Sequence, residues 1–67
     1  LQSLLDALVN EVNQNVFEIF EQIASLQQSV GAYFSSGMTD TSSADTAIEA
    51  AGDINTKTRD IKTQYSS

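Results

Sequence analysis

The sequence predicts an all-α protein, an antiparallel helical hairpin. Its helices run over about residues 2–36 and about 43–64, with a loop over about 37–43. The hairpin is expected to pack in a coiled-coil-like bundle or larger assembly. Three observations predict this. Leu1, Leu5, Leu8, Val12, Val16, Ile19, Ile23, Leu26, Val30 and Tyr33 follow one another at helical steps of three or four. A second ladder, Ala44, Ala47, Ala51, Ile54, Thr58, Ile61 and Tyr65, repeats the pattern. Between them lies a run of turn formers, Gly37 to Ser43.

The first helix is strongly amphipathic. On a helical wheel its apolar residues, from Leu4 and Leu8 round to Val9 and Phe20, fill one arc of about 160°. Asp6, Asn10, Glu11, Glu18, Glu21 and Gln28 lie outside it. A two-stranded seam is narrower; an arc this broad touches two neighbours, as in a bundle. The steps of four and four through Leu8, Val12 and Val16 read as a stutter, which unwinds a supercoil locally.

Gly37 suits the left-handed position that ends a helix. Asp40, Thr41, Ser42 and Ser43 are all candidate N-caps for the second helix. Asp45 and Glu49 then fall near its positive end. Its first half is thin, with Ala44, Ala47, Ala50 and Ala51, so another helix can approach closely. Gly52 reads as tolerated close packing, the alternative being a kink.

Folding back about residues 39 and 40 sets Arg59 near Phe20, Lys62 near Phe17, Ile54 near Leu26 and Ile61 near Ile19. All three basic residues, Lys57, Arg59 and Lys62, then oppose Glu18 and Glu21. Such exposed pairs set orientation more than stability.

Composition narrows the chemistry. A chain of 67 residues buries only roughly 60% of its unfolded surface and normally needs a staple. Cysteine and histidine are absent, so disulfides and the preferred zinc ligands are missing, and association with other chains is left. Net charge is −6, with three basic residues against nine acidic, so there is no basic stripe for nucleic acid or an anionic membrane. The uncharged window 22–39 is too rich in Gln and Ser to span a membrane. Starting at Leu1 rather than Met, residues 1–67 are expected to be one hairpin, either processed or part of a longer chain.

Candidate chemistry is sparse. Glu18 and Glu21 share a helical face as acid/base pairs do, but read as a solvated flank for basic residues, since a thin hairpin offers no walls for a pocket. Asp40 and Asp45 read as capping residues rather than calcium ligands, for want of the glycine a calcium loop needs. The hydroxyls lack a histidine base. Gly31, Gly37 and Gly52 are too far apart to cradle a phosphate. Asn15 and Thr58 are either register-setting polar members of the seams or rim residues. Phe17 either lies under the stem of Lys62 or joins Phe20 as an anchor for a neighbouring subunit.

The helix–loop–helix outline resembles that of secretion-needle proteins and of small secreted hairpins of the WXG type. The turn Ser35-Ser36-Gly37-Met38 holds neither the tryptophan of the WXG motif nor the proline-containing turn of needle proteins, and no residue is carried over from either.

The expected function is a non-enzymatic structural or assembly protein, a helical subunit of a larger homo- or hetero-oligomer such as a filament, virion or tail, or secretion apparatus. The alternative is a small chaperone or adaptor that receives a partner helix. The expected packing interface is Leu5, Leu8, Val12, Val16, Ile19, Ile23, Leu26, Val30 and Tyr33 with Ile54 and Ile61. Phe17 and Phe20 are the candidate partner contacts. The expected partners are further copies of the chain or other helical subunits. No catalytic residue, metal, cofactor, small-molecule ligand, nucleic acid or transmembrane span is expected. Localisation stays open, with an extracellular, secreted or virion setting favoured.

Overall fold

A computed structural model describes residues 2–66. It is an all-α hairpin of two helices, α1 (Gln2–Ser35) and α2 (Thr41–Ser66). The molecule is a rod of 54 × 16 × 11 Å. At 1.5 Å per residue, the 34 residues of α1 span nearly all of that length.

The connection is shorter than the sequence suggests. α1 ends at Ser35 in a Schellman cap: Met38 N–H donates to the Tyr33 carbonyl (2.9 Å) and Gly37 N–H to the Phe34 carbonyl (3.0 Å). Gly37 (φ 72°) and Met38 (φ 65°) are both left-handed. The Ser36 hydroxyl closes the turn, accepting from the amides of Thr39 (3.2 Å) and Asp40 (3.0 Å). Asp40 then caps α2. Its carboxylate accepts from the Ser43 amide (3.2 Å) and from the hydroxyls of Ser42 (2.8 Å) and Ser43 (2.7 Å). These bonds, with that of the Ser43 hydroxyl foremost, hold the Asp40 carboxyl below the ordinary aspartate range. The second helix therefore starts at Thr41 rather than near residue 43, and reaches Ser66 rather than 64.

The tighter turn moves the register. Lys57 forms an ion pair with Glu18. The expected neighbours Arg59 with Phe20 and Lys62 with Phe17 are thus displaced by about one helical turn. Lys57–Glu18 is the single ion pair among the described residues, so the expected cluster of three basic residues on Glu18 and Glu21 does not form.

Burial identifies the faces that meet. On α1 they are Val12, Asn15, Ile19, Gln22, Leu26, Ser29 and Tyr33; on α2, Ser43, Ala47, Ala50, Ile54, Lys57, Ile61 and Gln64. Both sets step by alternating threes and fours, the ladder of a coiled coil. Carrying the Glu18–Lys57 register along them opposes Val12 to Gln64, Asn15 to Ile61, Ile19 to Lys57, Gln22 to Ile54, Leu26 to Ala50, Ser29 to Ala47 and Tyr33 to Ser43. In six of these seven layers a large residue, aliphatic or Tyr33, faces a polar or small one; in the seventh, Ser29 and Ala47 are both small.

The expected seams are each rotated by this arrangement. Asn15 belongs to the α1 seam, half-buried, and Val16 lies beside it, which removes the stutter. On α2, Ala51, Thr58 and Tyr65 are exposed, and Ala50, Lys57 and Gln64 take their places. The five-residue connection 36–40 and the Glu18–Lys57 bond fix the roll of the helices, and the resulting contact is not the most apolar one available.

Candidate functional site

The roll of the helices gives the hairpin two unlike sides. Heptad letters make them plain, with Val12, Ile19 and Leu26 at a on α1 and Ala47, Ile54 and Ile61 at a on α2. In an antiparallel pair the e positions of both helices flank the core on one side, and the g positions flank it on the other.

The g side is acidic. It carries Glu11 and Glu18 from α1 and Asp53 and Asp60 from α2, with Lys57 among them. The hydrogen bond from Lys57, followed by one from Gln14, lowers the Glu18 pKa below the ordinary glutamate range. The same bond to Glu18 raises Lys57 above the ordinary lysine value, with smaller help from the charges of Asp53 and Asp60. Both side chains keep about a third of their surface in water (28% and 35%), so the pair is screened. A shallow cleft of about 300 Å³ opens nearby, lined by Glu11, Asn15, Asp60, Thr63 and Gln64. Every lining residue is polar, whereas ligand pockets are mostly apolar with a few convergent polar groups. Among the described residues, no three of His, Cys, Asp and Glu converge on a point that could hold a metal ion.

The e side is apolar. Val9, Val16, Ile23 and Val30 follow each other at intervals of seven along α1. Phe20 and Phe34, at b, interleave with them, and the full ladder reads Val9, Asn13, Val16, Phe20, Ile23, Gln27, Val30, Phe34. This is a second coiled-coil seam on the same helix, richer in large apolar residues than the one α2 covers. Val9 is 56% exposed, Phe20 64% and Phe34 62%. No charged residue lies on this ladder, nor among Asn10, Phe17, Ala24 and Gly31 along its outer edge. Beside it on α2 run Ala44, Ile48, Ala51, Asn55, Thr58, Lys62 and Tyr65, with Ile48 and Tyr65 both more than 70% exposed and Lys62 the one charge on that line.

The expected interface residues divide between the two seams. Val12 is buried, and Ile19, Leu26, Tyr33, Ile54 and Ile61 are half-buried between the helices. Val16 is half-buried at the margin, and Ile23 and Val30 stand on the outward ladder. Leu5 and Leu8, with Leu4, lie where α1 runs past the end of α2, and are exposed. Leu1 lies outside the described residues. Of the two aromatic candidates, Phe20 belongs to the outward ladder, whereas Phe17 sits at its edge, too open for a lysine stem to cover it. The outward seam was visible in the sequence as the excess width of the apolar arc; the spacing of seven at Val9, Val16, Ile23 and Val30 is the signal that separates it from the inner one.

Among the described residues, no helix is long and apolar enough to cross a membrane. Comparison with protein families, curated proteins and solved structures finds no match to this chain.

Proposed function

We propose that this protein is a non-enzymatic structural or assembly subunit, a helical hairpin that acts by packing with other helical subunits in a larger homo- or hetero-oligomer. Filaments, virions and tails, and secretion apparatus are the settings that use such subunits. The observation that carries this reading is the missing core. Among the described residues only Val12, Ala47, Ala50 and Ser29 are buried, and no large side chain is fully enclosed.

The surface area supports it. A folded monomer of 7.2 kDa is expected to expose about 4,100 Å². This hairpin exposes 4986 Å². The surplus, roughly 900 Å², is close to the ~800 Å² that each partner contributes to a standard protein interface. A single hairpin is thus a rod with the surface of one side of a contact still open. A net charge of −6 keeps such rods apart except where an uncharged face lets them meet.

Circular dichroism and sedimentation across a thousandfold dilution test this. Helicity and mass should rise together with concentration, because association supplies the burial that one hairpin lacks. A monomer that melts cooperatively at a temperature independent of concentration overturns the reading.

A further inference from the structure

We infer that the outward seam of α1 binds a second copy of α1, antiparallel, about a two-fold axis passing between Glu21 and Gln22. This deepens the assembly reading and rests on it. The occupant is identified by the seam's own pattern. When the ladder is laid against itself in the antiparallel sense, Val9 meets Phe34 of the second copy, Asn13 meets Val30, Val16 meets Gln27, and Phe20 meets Ile23. The other four layers repeat these by symmetry. Each phenylalanine thus faces an aliphatic residue, and each polar residue faces a valine. The inner seam follows the same rule, with Gln22 opposite Ile54 and Asn15 opposite Ile61. A surface complementary to itself in this way is what a two-fold contact requires.

Charge and length agree. Two chains of net charge −6 repel, and the seam from Val9 to Phe34, with its outer edge, brings no carboxylate to the contact; Asp6, on the same line, lies one step beyond its end. Glu11, Glu18 and Glu21 lie round the far side of the helix. The same register carries the overhanging Leu5 of one copy to the turn of the other, where Met38 is 58% exposed.

The absence of cysteine makes site-directed spin labelling direct. In the full chain, labels on Asn10→Cys should lie about 35 Å apart along the axis, from about 23 residue steps at 1.5 Å each. Labels on Ala24→Cys should come within roughly 15–20 Å, given helix spacings of 8–10 Å. Ile23→Lys places a charge in the two central layers and should raise the dissociation constant at least about a hundredfold. Gln28→Lys, the same change of charge on the far side of α1, should change it less than about threefold. Short distances at both Asn10 and Ala24 mean a parallel contact and overturn the inference. So does an Ile23→Lys chain that associates as tightly as the parent. Both results leave the assembly reading standing, whereas a parent chain that stays monomeric at every concentration defeats the two together.

Discussion

Lys57 reaches across the hairpin to Glu18, and this pairing of a residue near the middle of α1 with one near the middle of α2 sets the register of every layer between them. Lys57 is itself a member of the α2 seam, where its stem packs opposite Ile19 and its ammonium turns out to the acidic side. One lysine thus supplies a core position with both packing and charge.

The pairing predicts a pH dependence. Glu18 is held below its ordinary pKa, so its contribution is present above the unfolded-state value, near 4.3, and is lost as pH falls through the lowered folded value. Lys57 is held above its ordinary pKa, so its contribution is present below about 10.4 and is lost as pH rises through the raised folded value. Thermal melts of the parent and Glu18→Gln at fixed concentration should differ between about pH 5 and 10 and converge as pH falls through the lowered folded value of Glu18. A difference that persists unchanged at pH 2 would show that Glu18 acts through packing rather than charge.

A second prediction concerns the thin half of α2. Ala50 is 2% exposed and lies opposite Leu26. Ala50→Leu adds three carbons to a layer already filled by one leucine, and should destabilise the hairpin by about 1–3 kcal/mol. Ala51→Leu, one residue further on and exposed, should change hairpin stability by less than about 0.5 kcal/mol. Urea titration of the two variants separates them. Equal effects would mean that the roll of α2 is the one its alanine pattern suggests, with Ala51 inside.

The helices, their antiparallel order and the break after Ser35 were legible because they depend on local signals: a 3.5-residue ladder, Gly37 and the capping set around Asp40. The register was read about one turn out because it depends on the length of the connection. Gly37 and Met38 together reverse the chain in fewer residues than Gly37 to Ser43 would occupy. The roll was misread for a different reason. Periodicity finds the most apolar line on a helix, Leu8–Val12–Val16 or Ala44–Ala51–Thr58, and assumes that it points inward. Here both helices turn that line partly outward, to the same side. Asn15, Gln22 and Ser29 are polar and so fall outside an apolar count, although their spacing of seven marks them as one line of the inner seam.

Two glycines should respond in opposite ways to alanine. Gly37 sits at φ 72°, which a side chain resists, so Gly37→Ala should cost about 1 kcal/mol. Gly52 lies within α2 at ordinary helical geometry, and a Cβ there meets nothing within 4 Å. Gly52→Ala should stabilise the chain by about 0.5–1 kcal/mol through the lost entropy of the unfolded state. Denaturant midpoints of the two variants, measured at one concentration, give the signs. A destabilising Gly52→Ala would mean that a neighbouring chain approaches that part of α2.

The sharpest separation is between Leu26 and Ile23, three residues apart on α1. Leu26 is half-buried against α2, while Ile23 is 36% exposed on the outward ladder. In dilute solution, where contacts within one chain dominate, Leu26→Ala should lower helicity more than Ile23→Ala does. At high concentration Ile23 becomes buried, and Ile23→Ala should then cost on the order of 2–5 kcal/mol for each copy if its site is fully enclosed. The effect of Leu26→Ala should grow far less with concentration, because the site opposite Ala50 is filled within the chain. Circular dichroism melts of the two variants at both ends of a thousandfold concentration range read this directly. If Ile23→Ala is as costly in the dilute monomer as in the concentrated sample, then Ile23 is an inner residue, and the outward seam is not the surface on which chains meet.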